Sequence, residues 1–263
     1  MRFFIKSLMI SLLFVSCNNS TQFNRLIAGS NGPRISTEKL DTVKTKPYLV
    51  FAKPDVFERA FFPGTHLNMD SFRIDFYSVD IGKINIESGK IIACDPIVMQ
   101  DAKPFTQLFP IGQFPVQLAI AKIKDDERVA YSRIIFSDSS VVKWEFALIE
   151  GQKQDSIYGE NFYGYGVDAG IGMYIDEKAN TAFKLFSKAD NNIWSKIFID
   201  EMDKHYRNTW QYVIHKFNAH NFASFSTGYG DGRYATYIGY DKKENPCMIL
   251  TDFGLVEWWK KKQ

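Results

Sequence analysis

Six carboxylate side chains lie in or beside turn-rich segments of the chain, where they could carry chemistry. They are Asp95, Glu145, Asp168, Asp176, Asp231 and Asp252. Carboxylates that converge in one cleft can bind a hard divalent cation, or act as general acid and general base when their surroundings separate their pKa values. One interpretation is therefore a carboxylate-based hydrolase or metal-dependent enzyme, with Asp95, Asp168 and Asp231 as its catalytic residues.

Each carboxylate also has a structural interpretation. An Asp side chain can bond its own backbone two residues on, and glycine supplies a positive φ, so Asp-Pro and Asp-Gly form turns without any ligand. Asp176 precedes a helical pattern and fits an N-cap. Asp168 and Asp231 are harder to explain in this way, because each lies among glycines that let a ligand or another backbone approach closely. The candidate ligand-binding residues are Tyr165, Asp168, Gly170, Gly230, Asp231 and Gly232.

The common catalytic and metal-binding spacings are absent from the sequence. The histidines form no His-Glu-x-x-His pair, the cysteines form no Cys-x-x-Cys pair, and Gly-x-Ser-x-Gly does not occur. The glycine-rich residues 228–232 precede a strand pattern rather than a helix, which argues against a phosphate-binding loop. We therefore predict no bound cofactor and no transition-metal site, leave a hard divalent cation open, and favour binding over catalysis.

The N-terminal residues resemble a bacterial lipoprotein signal. Arg2 and Lys6 precede an apolar run over residues 8–15, which is too short to cross a bilayer. The run ends in Phe14-Val-Ser-Cys17, which is similar to a lipobox and implies a diacylglycerol on the Cys17 thiol. A plain signal peptide and a buried N-terminal helix are the alternatives. We predict a protein held on a membrane by its lipid, in the cell envelope, and favour the outer membrane with the leaflet left open.

Charge and cysteine content restrict the partners further. The chain has 32 basic and 30 acidic residues, and removal of Arg2 and Lys6 with the signal peptide would balance them. A balanced charge offers no electrostatic basis for binding nucleic acid. Apart from the lipidated cysteine, the chain has two cysteines, Cys94 and Cys247. They could form a disulfide in an oxidising compartment, although two separate buried thiols are the favoured interpretation.

The sequence divides into three predicted regions. These are a signal peptide over residues 1–16, a lipidated cysteine with a flexible tether over 17–46, and a single β-rich globular domain over 47–263. Alternating patterns predict strands near residues 116–121, 128–136, 142–148, 222–226, 234–240 and 248–253, and a hairpin with its turn at Ser88-Gly89. Helices are predicted over 176–188 and 192–206, and a short one over 54–61. The predicted fold is mainly β, an antiparallel sandwich or barrel-like arrangement with two or three helices, with α+β as the alternative.

A series of short motifs resembles a known bacterial family. The motifs occur in order as GKIIACDP (89–96), PF (104–105), PIGQFPV (110–116), RVA (128–130), WE (144–145), YGVDAGIG (165–172), GYGDGRY (228–234), TY (236–237), GYD (239–241) and TDFG (251–254). Together they are similar to the family called domain of unknown function 4241, over about residues 89–255. The resemblance implies a single domain and no particular activity.

The aromatic content suggests where binding would occur. Tyr158, Phe162, Tyr163 and Tyr165 crowd one glycine-rich stretch, which fits either a stacking surface or a loop folded over the sheets. We therefore predict a lipid-anchored envelope domain that binds a protein partner or a small-molecule ligand through its glycine- and tyrosine-rich loops. The alternatives are the carboxylate-based enzyme and an immunity-type protein that neutralises a toxin.

Overall fold

The protein is described from a computed structural model. The structure describes residues 35–36, 55–68, 72–159 and 161–258. Cys17, the predicted signal peptide and nearly all of the predicted tether lie outside the described residues. Among the described residues, no helix is long and apolar enough to span a membrane.

The described residues are mostly β-strands. In chain order the strands are β1 (Ile35–Ser36), β2 (His66–Asn68), β3 (Arg73–Ile86), β4 (Ile91–Cys94), β5 (Gly112–Ile123), β6 (Asp126–Ile135), β7 (Lys143–Phe146), β8 (Tyr165–Val167), β9 (Ile171–Asp176), β10 (Tyr212–Phe217), β11 (His220–Ser226), β12 (Gly232–Tyr240), β13 (Pro246–Asp252) and β14 (Val256–Glu257). The helices are α1 (Asp55–Arg59), α2 (Glu177–Phe186) and α3 (Ile193–Ser195), with short 3-10 turns at Pro96–Val98 and Ser187–Ala189 and a π-helix at Lys196–Glu201.

The strands form two antiparallel sheets and one short parallel pair. The large sheet has the order β2-β3-β5-β6-β13-β12-β7, and β8 also pairs with β12. The small sheet has the order β10-β11-β9-β4, and β1 pairs in parallel with β14. This confirms the predicted mainly β, antiparallel fold. The alternating burial along β3 and β7 shows why a period of two could be read from the sequence.

The central core lies between the two sheets. Leu118, Ile120 and Ile249 of the large sheet belong to the same buried cluster as Tyr174 and Phe225 of the small sheet. Fully burying one such apolar side chain stabilises the fold by about 1.5–3 kcal/mol. This cluster holds the two sheets face to face and so fixes the edges where they meet.

Helices cover the outer faces of both sheets. Phe57 of α1 packs against Tyr131, Trp144 and Tyr237 of the large sheet. On the small sheet, Phe183 of α2 packs edge-on against Phe222 with ring centroids 5.2 Å apart. The helix predicted over 176–188 is confirmed as α2, and that over 54–61 as the short α1.

Two local predictions differ from the structure. The hairpin expected at Ser88-Gly89 is wrong, because β3 pairs with β5 whereas β4 pairs with β9. The carboxylate of Asp176 accepts the N–H groups of Glu87 and Ser88 at 3.0 and 2.8 Å, and at this turn the chain passes from one sheet to the other. The helix expected over 192–206 is present from residue 193 to 203, but its middle part is a π-helix, and Asn192 makes no side-chain cap.

Two side-chain amides join the edges of the sheets. On one side, Asn221 of β11 accepts the N–H of Asn85 at 2.7 Å and donates to the carbonyl of Lys83 at 2.8 Å, both in β3. On the other side, residues 105–109, here called the seam segment, run between β4 and the end of β7. Phe105 donates its N–H to Ile91, and Thr106 donates its N–H to Leu148.

Gln107 completes this second junction. Its amide donates to the carbonyl of Phe146 at 3.2 Å and accepts the N–H of Leu148 at 3.2 Å. Cys94 and Cys247 are both buried free thiols, so the favoured interpretation of two separate thiols agrees with the structure.

Candidate functional site

Asp95 is buried at the end of β4 and serves the backbone. Its Oδ1 accepts the N–H of Ile97 at 2.8 Å, and its Oδ2 accepts the N–H groups of Asp168 and Ala169 at 2.8 and 2.9 Å. Three N–H donors occupy most of the acceptor capacity of a carboxylate. Asp95 therefore fixes the loop after β8 against the end of β4.

Asp231 holds the same loop from the opposite side. Its Oδ1 accepts the N–H of Gly170 at 3.1 Å. Gly170 and Gly230 both have positive φ, at +64° and +104°, and a Cβ on Gly170 would lie 3.6 Å from the Cα of Gly230. Gly232 pairs with Val167 where β12 meets β8. The structure thus brings the two predicted glycine-rich loops together as a contact between backbones.

Asp168 is exposed, as Asp231 is, whereas Asp95 is buried. The backbone N–H of Asp168 is bound by Asp95, but the described residues offer the Asp168 carboxylate no hydrogen-bond partner. Asp95, Asp168 and Asp231 therefore converge on one turn, with Asp95 and Asp231 bonded to its backbone. Within the described residues, no group of three or more His, Cys, Asp or Glu side chains is placed to hold a metal ion.

The other three predicted carboxylates lie apart from this turn. Asp176 caps α2 by accepting the N–H of Lys178 at 2.8 Å, as its sequence position suggests. Glu145 forms an ion pair with Lys143 at 2.5 Å on β7. Asp252 accepts from the N–H of Gly254 and from Nε1 of Trp258, both at 2.8 Å, and its burial raises its pKa to about 6.

A cavity of about 320 Å³ opens at the junction of the two sheets, next to the seam segment. Its walls are Ala93, Cys94, Val98, Asp101, Ala102, Lys103, Phe105, Ala147, Ile149, Gln152, Gly164, Tyr165, Gly166 and Thr236. The walls are mostly apolar and include few polar groups, which is the usual composition of a small-molecule site. Tyr165 is the predicted ligand-binding residue that belongs to this lining, and we refer to the space as the seam cavity.

Two polar residues of the seam cavity have chemically informative surroundings. Burial raises the pKa of the Cys94 thiol well above its ordinary value, with the nearby Asp95 carboxylate adding to the shift. A thiol that stays protonated at neutral pH is a poor nucleophile. Burial raises the pKa of the Tyr165 hydroxyl well above its ordinary value, and a hydrogen bond with the side chain of Thr251 opposes part of that shift.

The aromatic loop before β8 divides between packing and exposure. Tyr163 packs edge-on against Phe146, and Tyr158 packs against Trp258, with centroids 5.4 and 5.8 Å apart. Phe162 is 46% exposed, and the guanidinium of Arg233 lies over its ring. The loop is therefore folded largely onto the outer face of the large sheet, while Tyr165 turns to the seam cavity.

Several lining residues could not be found from the sequence. Ala93 and Thr236 fall inside the motifs GKIIACDP and TY, and Ala147 in an alternating pattern, but nothing in these patterns marks them as cavity-lining positions. They meet only because the seam segment joins β4 to the end of β7. A second cavity of similar volume lies between the π-helix and β10, and its lining contains none of the predicted site residues.

The fold and the site define a β-sandwich protein with a cavity where the two sheets meet. The family described as "Protein of unknown function (DUF4241)" matches residues 84–251, more than half of the chain, and the chain belongs to this family. The matched residues include the complete lining of the seam cavity. No curated protein and no solved structure matches the chain.

Proposed function

We propose that the protein is a lipid-anchored, non-catalytic binding domain of the bacterial cell envelope, which takes a small ligand into the seam cavity. The observation that carries the proposal is that Gly164, Tyr165 and Gly166 form one wall of a mostly apolar cavity. The glycine- and tyrosine-rich stretch is thus positioned to contact a ligand. Concave, largely apolar spaces with a few polar groups are where proteins bind small molecules.

The bonding of Asp95 argues against this carboxylate as a general base. Asp95, the carboxylate nearest in sequence to the lining residue Cys94, is buried and bonded to three backbone N–H groups. A general base needs a carboxylate oxygen free to reach a water molecule or a substrate proton. Cys94 itself is a protonated thiol at neutral pH, because its burial raises its pKa.

The lipid anchor is proposed from the sequence. Seventeen residues lie between Cys17 and Ile35, the first residue of β1, and a chain of this length spans at most about 60 Å. The anchor would hold the domain near a membrane surface without embedding it. Two acyl chains suffice for stable attachment, since each buried CH₂ contributes about 0.8 kcal/mol.

Ligand retention tests the binding part of the proposal. We would isolate the full chain from envelope extracts and measure small molecules released on denaturation by mass spectrometry. Ala102→Phe should fill the seam cavity and abolish the released species, whereas Ala189→Phe at an exposed position should retain it. The same species released equally from both variants would contradict the proposal.

Metabolic labelling tests the anchor. Cells grown with an alkyne-tagged fatty acid should label the wild-type chain and not Cys17→Ser, and only the wild type should sediment with membranes. Label retained by Cys17→Ser, or an intact Met1 found by mass spectrometry on the soluble wild type, would overturn this part. The anchor and the cavity are thereby tested separately.

A further inference from the structure

The second cavity, of about 320 Å³, lies beside β10 and at the end of the π-helix. Its walls are Ile81, Glu201, Lys204, His205, Tyr212, Val213 and Ile214. This volume is at the lower end of the range for small-molecule sites, which is about 300–1,000 Å³. The second cavity shares no lining residue with the seam cavity, so the two spaces are separate.

The second cavity meets β10 along the edge of the strand. Tyr212, Val213 and Ile214 are consecutive, and neighbouring side chains of a strand point to opposite faces. All three therefore line one space because it lies against the strand edge. Among the described strands, β10 stands at the end of the small sheet and pairs with β11. The backbone N–H and C=O groups on its other edge have no partner strand there and can bind a polar ligand.

The side chain of His215 holds the carboxylate of Glu201 at this cavity. Nδ1 of His215 lies 2.9 Å from Oε2 of Glu201, and the imidazole donates, since a carboxylate has no proton to give. The His215 side chain is 8% exposed, and its ring packs against Phe217 and Phe222 with centroids 6.1 and 5.3 Å apart. This bond to a buried ring restrains Glu201 and leaves its Oε1 to accept from a ligand.

The lining carries one acidic and one basic side chain. Glu201 is ion-paired with His215 rather than with Lys204, which lies three residues on and is exposed. Beside them, His205 stacks on Tyr212 with ring centroids 4.4 Å apart. A ligand with a single charge would be attracted by one of the two charged groups and repelled by the other. A zwitterion is attracted by both.

We infer that the second cavity binds an apolar α-amino acid in its zwitterionic form. The ammonium group of the ligand donates to Oε1 of Glu201, and its carboxylate accepts from the ammonium group of Lys204. The apolar side chain of the ligand packs against Ile81 and Ile214. This inference goes beyond the function proposed for the seam cavity and does not depend on it.

Three probes with the same branched carbon chain test the two charges: L-leucine, 4-methylpentanoate and 3-methylbutylamine. Compared with leucine, 4-methylpentanoate lacks the ammonium group and 3-methylbutylamine lacks the carboxylate. The full chain in phosphatidylcholine nanodiscs is labelled with ¹³C in its isoleucine δ1 methyl groups, and the shifts of Ile81 and Ile214 report binding. Leucine should bind about twofold to fivefold more tightly than either other probe, because an ion pair that is partly exposed contributes up to about this factor.

Two variants should remove these preferences one at a time. In Glu201→Gln, leucine should lose its advantage over 4-methylpentanoate and keep its advantage over 3-methylbutylamine. In Lys204→Met the opposite should hold. The matched controls are Asp203→Asn and Lys216→Met, which remove the same charges from exposed positions outside the lining and should keep both preferences.

The wild type alone can overturn the inference, even if a variant does not fold. Equal binding of leucine and the two singly charged probes would do so, as would leucine leaving the signals of Ile81 and Ile214 unshifted. Loss of a preference in either control variant would also contradict it, because long-range charge and not the lining would then select the ligand. None of these outcomes bears on the seam cavity.

Discussion

The carboxylate of Asp95 accepts the backbone N–H of Asp168 at 2.8 Å, across 73 residues of sequence. The same Oδ2 atom accepts the N–H of Ala169 at 2.9 Å. A buried carboxylate bonded in this way locks the end of β4 to the loop that follows β8. Since Cys94 and Tyr165 lie on either side of that connection, Asp95 stabilises the shape of the seam cavity.

Removal of the Asp95 carboxylate should therefore be costly. We expect Asp95→Ala to lower the free energy of unfolding by about 2–4 kcal/mol, because each buried donor left without an acceptor costs about 1–3 kcal/mol. Urea denaturation measures the change. Asp231→Ala is the control, since its exposed carboxylate accepts one N–H and its loss should cost less than about 1 kcal/mol. Similar losses in the two variants would show that Asp95 does not hold the loop.

The two uses of aspartate show what could be predicted from the sequence. The cap made by Asp176 was predictable, because its acceptor role toward Lys178 depends on residues two apart. The bond of Asp95 to the N–H of Ile97, two residues on, was predictable in the same way, whereas its bonds to Asp168 and Ala169 were not, because those residues are far away in sequence. The wrong hairpin at Ser88-Gly89 has the same cause, since Asp176 binds that turn from another sheet.

The candidate site was predictable only in part for a related reason. Composition and glycine spacing identified Tyr165 and the two loops that meet at Gly170 and Gly230. The opposite wall of the cavity depends on contacts between sheet edges, such as that of Phe105 with Ile91. Short-range periodicity assigns such residues to strands or loops, but it does not say which edges meet.

Asp252 should make the folded protein less stable as the pH rises from 4 toward 6. Its burial raises its pKa to about 6, from an ordinary value near 4, so the folded protein binds a proton more tightly than the unfolded chain. Its contribution to the free energy of unfolding is then greatest below pH 4. As the pH rises toward 6 this contribution is lost, which lowers the free energy of unfolding by at most about 3 kcal/mol. Burial also raises the pKa values of the neighbouring Tyr131 and Tyr237, so neither ionises in this range.

The measurement is the unfolding free energy of the wild type and of Asp252→Asn between pH 4 and pH 7. Loss of the hydrogen bond from Trp258 changes the unfolding free energy of the variant by the same amount at every pH. The titration of Asp252 in the wild type adds a difference between the two proteins that varies with pH. The wild type should lose stability relative to the variant as the pH rises. Parallel curves would show that the Asp252 pKa is not raised.

Two neighbouring glycines of the cavity wall should respond differently to alanine. A Cβ on Gly164 would lie 2.5 Å from the carbonyl oxygen of Tyr234, whereas a Cβ on Gly166 would meet nothing within 4 Å. Gly164→Ala must push β8 away from β12, and we expect a loss of about 1–3 kcal/mol, typical of overpacking. Gly166→Ala should change stability by less than about 0.5 kcal/mol. Thermal unfolding of both variants measures the contrast, and equal effects would contradict this geometry.

Gln107 should control how often the seam cavity opens. It links the seam segment to Phe146 and Leu148 through two hydrogen bonds of its amide. In Gln107→Met the length of the side chain is kept and both bonds are lost. We expect amide hydrogen exchange at Leu148 to accelerate about tenfold, since local opening depends on such bonds.

The opposite sheet junction provides the control for this prediction. Asn221→Leu removes the amide that binds Asn85 and Lys83, so exchange should accelerate at Asn85 and stay unchanged at Leu148. Because the two amides lie at different junctions, only Gln107→Met should also weaken retention of a cavity ligand. If Asn221→Leu weakened retention to the same extent, the ligand would depend on the sandwich as a whole and not on the seam beside Gln107.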